Sequence, residues 1–188
     1  MYFVVKYTGQ FGFIKPWTAV RDLETFSQQF LTHSIVEGIE KKLFPELLSE
    51  NGIHKIARHR LSYSGLDFQQ EVTWSKGLLK PKSNPYLKNK SIINRGVMLN
   101  PTLYLAFVNE NDAEVAFSQT VCLARNEDLM FPHTLKEISH EDFDKIDGFE
   151  LFFATDESGF KVGYNRFDGK GMYGTLKVYG NPVGLSDD

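Results

Sequence analysis

Two kinds of hydrophobic spacing alternate along this chain of 188 residues, and their order restricts the folds open to it. Residues 2–7 alternate as a half-buried strand does, and Gly9, Gly12 and Pro16 then break the pattern into a loop running to about Gln29. Thr32 or Ser34 caps a following helix, with Glu37 completing a capping box to Ser34 and Ile35, Val36, Ile39 and Leu43 forming its buried stripe. Pro45 ends this helix or starts a new turn, and Asn51-Gly52 is a stop. Residues 53–63 read as a second strand, with imperfect alternation. Periodicity then weakens over residues 64–94, among Gly65, Gly77, Pro81 and Pro85, although residues 68–74 fit half of a ribbon. So long an excursion in a compact domain reads as a projecting arm. Strand character resumes at 97–108, and Asp112 caps a second helix through Ala113, Val115 and Ala116. Residues 137–146 form an acidic surface turn or short helix, and 149–155, 161–165 and 174–179 are closing strands.

Strand, helix, strand, arm, strand, helix, strand is the order of a split βαβ unit. The expectation is one α+β domain over residues 1–188, with a ferredoxin-like core, an inserted arm at approximately 64–95 and a small C-terminal β extension at approximately 148–180. Sixteen Phe and eight Tyr suit sheets more than helical bundles.

Charge is sorted into blocks. Residues 54–95 hold nine Lys and Arg against Asp67 and Glu71, whereas residues 109–157 hold thirteen acids against three basic residues. The sorted blocks give one face a positive field that a polyanion can feel, although the whole chain is −3. Tyr63, Phe68, Trp74 and Tyr86 lie among the basic residues, as flat surfaces on which unpaired bases stack. Single-stranded RNA is therefore the first candidate partner, and a solvated lysine-rich loop is the plainer alternative.

Other chemistries have weaker signals. No apolar run reaches the roughly 20 residues of a membrane span, and the N-terminus lacks a basic leader and a cleavage site, so a cytoplasmic protein is expected. Cys122 is the sole cysteine and reads as a buried, inert thiol. The five histidines form no metal-ligand spacing, and no cofactor is called for. His54 or His59, beside basic residues, is a candidate acid or base of a metal-independent ribonuclease, but on a strand the two point to opposite faces. The glycine-rich stretch 169–174 lacks the Walker ending and reads as a hairpin turn, with a backbone lying against phosphates as the functional alternative.

Phe11-Gly12-Phe13-Ile14-Lys15-Pro16 and Thr32-His33-Ser34-Ile35-Val36-Glu37-Gly38-Ile39 resemble a Phe/Arg-Pro segment followed by Thr-Pro-Ser-x-x-x-Gly-Ile. Leu123-Ala124-Arg125-Asn126-Glu127-Asp128-Leu129 is similar to Leu-Gly-Arg-x-Glu-Asp-Leu, and Ile93-Asn94-Arg95-Gly96-Val97 to a segment returning from an arm. Together these resemble the fifth family of CRISPR-associated proteins, in the RAMP superfamily, the Cascade subunit that caps the 5′ end of the guide RNA. His33 stands where that family has proline and Ala124 where it has glycine, and residues 25–29 lack the tyrosine of its RNA-cleaving branch. The resemblance implies an RNA-recognition-motif-like core with an inserted thumb. It also implies crRNA, Cascade backbone subunits and a large subunit as partners, with target DNA met indirectly through the complex and no membrane.

The expected function is thus a non-catalytic crRNA-binding subunit of a type I surveillance complex. Backbone contacts are expected from Lys15, Arg21, Arg58, Arg60 and Arg125, and arm contacts from Lys76, Lys80, Lys82, Lys88, Lys90 and Arg95, with stacking by Trp74. The rivals are an endoribonuclease that processes CRISPR precursor RNA and a protein-only assembly module with a basic docking arm.

Overall fold

The computed structural model describes residues 1–19, 24–74, 90–154 and 158–184. The N-terminal elements are β1 (Tyr2–Gly9), β2 (Phe11–Gly12), β3 (Glu24–Phe26), α1 (His33–Leu43) and β4 (Ile56–Ser62). A hairpin of β5 (Gly65–Trp74) and β6 (Lys90–Leu99) leads to β7 (Thr102–Phe107), α2 (Glu110–Phe117), β8 (Val121–Cys122) and β9 (Leu129–Ile138). The chain closes with α3 (His140–Asp144), β10 (Gly148–Ala154), β11 (Phe160–Tyr164) and β12 (Gly171–Tyr179). The protein is a mixed α+β fold, mostly strands with three helices among the described residues.

Eight strands form one sheet in the order β11-β12-β10-β4-β7-β1-β9-β8, with every pairing antiparallel. Since β7 lies between β1 and β4, the unit β1-α1-β4 is a split βαβ. The apolar stripe of α1 (Val36, Ile39, Leu43) and Ala113 and Ala116 of α2 share one core with Val5, Tyr7, Leu61, Leu103, Leu105 and Phe107 of the sheet. On the other face Phe143 of α3 packs with Val4 and Ala106. No described helix is long and apolar enough to cross a membrane.

Several local expectations need correction. Thr32 occupies the N-cap of α1 without a side-chain cap bond, and Glu37 does not return to Ser34. Instead Glu37 is buried and accepts from Lys41 Nζ at 2.9 Å, Gly52 N–H at 3.1 Å and Asn165 Nδ2 at 3.2 Å. One turn on, Glu40 accepts from three successive N–H groups, His54 (2.8 Å), Lys55 (2.6 Å) and Ile56 (2.7 Å), and so fixes where β4 begins. Asn109, not Asp112, caps α2, its side chain accepting from Asn111 N–H at 2.9 Å, while Asp112 pairs with Lys55. The stretch 97–108 is two strands, parted at Asn100 (φ 47°) and Pro101. The innermost strand pairing that sequence spacing missed is β1 with β9. Pro132 interrupts that pattern, and the register skips a residue there because Tyr7 faces Pro132 while Lys6 faces Thr134.

The β5–β6 hairpin is laddered from Gly65↔Leu99 to Trp74↔Lys90 and belongs to a second sheet with β2 and β3. Gly96 is required in that sheet because the Phe26 ring lies over it: a Cβ there would stand 2.2 Å from Phe26 Cδ1.

Candidate nucleic-acid interface

Lys55, Arg58, Arg60 and Arg95, the members of the basic block whose side chains the structure describes, all pair with carboxylates. Arg60 is fully buried and Arg58 mostly so, and both reach the buried Glu150: Arg58 Nε and Nη2 each at 2.6 Å, Arg60 Nη2 at 3.1 Å. Arg60 also donates to Ile146 O, and its guanidinium lies 3.5 Å from the Tyr179 ring centroid. Hydrogen bonding to Glu150 holds Arg58 well above its ordinary range against the opposing effect of burial, whereas burial pushes Arg60 down. Arg60 therefore cannot meet a ligand at the surface, contrary to the sequence expectation, and Arg58 acts first as a structural cation. Lys55 is held by Glu46 at 3.0 Å and Asp112 at 2.9 Å.

Arg95 and Arg125 form a clamp beside the middle of the β5–β6 ladder. Their guanidinium carbons lie 5.2 and 5.3 Å from the Phe13 ring centroid, and Glu71 bridges them at 3.3 and 2.8 Å. Asp128 takes Arg125 Nη2 at 2.6 Å and Nε at 2.9 Å and also accepts from Phe13 N–H at 3.1 Å. Asp128 thereby raises Arg125 above its ordinary range. The motif around Leu123 thus ties the β2 loop to the turn before β9, and its cations are matched by carboxylates. Lys15 is exposed on the same loop. Tyr63 is buried rather than available for stacking, and Phe68, half exposed, meets Phe26 edge-on at 5.3 Å. Trp74 and Lys90 close the far end of the ladder. Arg21, Lys76, Lys80, Lys82, Tyr86 and Lys88 lie outside the described residues.

The surface that unites exposed aromatic rings with cations lies elsewhere, where β11 and β12 meet the Trp17 loop and α1. Trp17 and Tyr164 are exposed and meet edge to face at 6.2 Å. Lys161 Nζ sits 4.0 Å from the Tyr164 ring, 5.8 Å from Trp17 and 6.0 Å from Tyr173. Beside them Phe167 carries Lys41 at 3.9 Å and Arg166 at 4.8 Å. The turn joining the strands is closed by Asn165 N–H to Lys170 O and Gly169 N–H to Asn165 O, both 2.8 Å, with Gly169 at φ 73°. The glycine-rich stretch therefore begins in a hairpin turn, and Asn165 fastens that turn to Glu37 of α1. Sequence reasoning missed Lys161, Tyr164, Arg166 and Lys170 because they are scattered singly through strands and a turn. Their one signal was the density of aromatic and basic residues over 160–173.

On the opposite sheet face a groove of about 610 Å³ is lined by Lys6, Tyr104, His133 and Lys136 and bounded by Asp142 and Ile146. His54 precedes β4 and is exposed, within 3.2 Å of Asn51 O. His59 points inward, and burial pushes it down to about 4. Cys122 is half-buried.

No family model matches the chain, and no curated protein matches it. Among solved structures it is similar in fold to a chain of a CRISPR RNA-guided surveillance complex, with a TM-score of 0.51 and 8% identity over 97% of this chain and 93% of that one.

Proposed function

We propose that this protein is a non-catalytic guide-RNA-binding subunit of a type I CRISPR surveillance complex, in which it holds the crRNA 5′ handle and contacts the backbone and large subunits. The observation that carries this reading is the near full-length likeness in fold to a surveillance-complex chain, on a scaffold whose split βαβ core carries an inserted hairpin. A ferredoxin-like RAMP core agrees with it, as do the motifs around Phe11, Thr32 and Leu123. The exposed Trp17 and Tyr164, with the half-buried Lys161 beside them, supply the stacking and charge that an unpaired strand uses. Lys15 and the arm lysines extend the contact.

The non-catalytic part rests on chemistry. Metal-independent cleavage needs a proton acceptor and a proton donor on one phosphate, and the two histidines nearest the basic block are separated, His54 exposed and His59 buried. The test is co-purification with neighbouring gene products and sequencing of the bound RNA, followed by incubation with the cognate repeat RNA in EDTA. Recovery of 5′-handle-bearing guides without cleavage is expected. A specific cut abolished by His54→Ala or His59→Ala, with binding retained, would establish the endoribonuclease reading. Assembly with protein partners but no RNA contact would establish the docking module.

A further inference from the structure

A cavity of about 400 Å³ opens to solvent between α1, β4 and the β10–β12 pair, a size ordinary for sites that take small molecules. Val36, Ile53 and Met172 give it apolar walls, while His33, His59 and Lys170 give it polar points. His59 is only 3% exposed, and its Nε2 has no hydrogen-bond partner among the described residues. Buried polar atoms are nearly always bonded, so an unmet one lining a cavity points to something that enters. The His59 ring is stacked on Phe153 (5.3 Å, 13°), and the same Phe153 meets His33 edge-on (5.1 Å, 68°). His33 Nδ1 is also buried without a hydrogen bond, 3.4 Å from Glu37 Oε2.

The chemistry of the occupant follows from these groups. A neutral imidazole gives or accepts one hydrogen bond and brings no charge. A purely apolar occupant would leave Nε2 unmet, and a carboxylate at the His33 end would meet the field of Glu37, whose Oε2 lies 3.4 Å from His33 Nδ1. At the rim stands Lys170, 83% exposed and only loosely paired with Asp168 at 3.9 Å. The inner part of the ligand is therefore neutral with a polar edge, and its outer part is anionic. A nucleotide has that form.

We propose that this pocket receives one nucleobase, its edge bonded to His59 Nε2 and its phosphate at Lys170; the proposal deepens the RNA-binding reading and rests on it. The assay is NMR of the histidine ring nitrogens in the full chain during titration with each of the four ribonucleoside monophosphates, with a parallel titration by single-stranded RNA. Saturable movement of the His59 and His33 signals is expected. His59→Phe, which keeps the stack on Phe153, should weaken nucleotide binding about tenfold, as loss of one hydrogen bond in a dry site does. Lys170→Ala, on the surface, should weaken monophosphates but not the free nucleosides, and provides a readout should the first variant fold poorly. RNA binding with silent ring signals would overturn the pocket and leave the functional reading intact. Ring movement by nucleotides without any RNA binding would uphold the pocket and count against the guide-RNA role. Silence with both ligands would overturn both.

Discussion

Acidification should destabilise this fold through His59 before the carboxylates contribute. The ring is 3% exposed and burial sets its folded value at about 4, the nearby Glu150 only partly opposing that, with Arg60 and Arg58 adding to it. In the unfolded chain the same group titrates near 6.5. Between these values the unfolded state binds a proton that the folded state refuses. Stability is therefore complete above about pH 6.5 and falls as the pH drops toward 4. Integrating the two titrations from pH 7 to pH 4.5 gives a loss on the order of 2–3 kcal/mol, a large part of the ~5–15 kcal/mol that holds a domain together. Glu37 and Asp142 act in a lower window. Burial would raise Glu37, but hydrogen bonds from Lys41, Gly52 and Asn165 outweigh it, and Lys145 and Ser139 lower Asp142. Their contributions are lost only as the pH falls below the ordinary carboxylate range. Urea unfolding followed by circular dichroism at half-unit steps, for the native chain and His59→Phe, isolates the histidine. The native midpoint should fall between pH 6.5 and 4.5 while that of the variant stays nearly level. Parallel curves across the window would refute the argument.

Glu150→Gln keeps the volume but strands Arg60 and Arg58 without an anion, and should cost about 3–5 kcal/mol in urea unfolding; a loss under about 1 kcal/mol would show that the arginines find other partners. Trp17→Ala should lower affinity for single-stranded RNA by about 1–3 kcal/mol with thermal stability nearly unchanged, as fluorescence anisotropy would show. Affinity for RNA should fall steeply with salt, and replacing Lys80, Lys82 and Lys88 together by Ala should reduce that slope by about two units if they meet phosphate. An unchanged slope would remove the arm from the RNA interface.

What could be read from the sequence was set by local spacing. The stripe Val36, Ile39 and Leu43 is a periodic feature and stands where periodicity put it, as does the strand at 2–7, whereas the run 97–108 divides at Asn100. The strand carrying Pro132 escaped because a bulge breaks its alternation, and the α2 cap because Asn109 and Asp112 are both competent caps. Charge counting failed for a different reason. It treats every Arg as solvent-facing, whereas Arg58 and Arg60 face the sheet side opposite α1 and α2, where Glu150, ninety residues on from Arg60, waits for them. Partners so distant in the chain leave no trace in composition. The same holds for the surface at Trp17 and Lys161, which exists only once the C-terminal hairpin is laid beside α1.

Backbone pairing secures β10 to β4 through a single registered pair, Phe149↔Leu61. Neighbouring residues of a strand face opposite ways, so a slip by one position would turn Glu150 to the face of α1 and α2 and strand two buried arginines. Misaligned docking is thus rejected by charge rather than by shape. The strands β12 and β11 are laddered onto β10 in turn, so the turn from which Asn165 reaches Glu37 follows the seating of β10. The placement of the Trp17 and Lys161 surface on one face of the sheet is thus tied to charge pairs buried on the other.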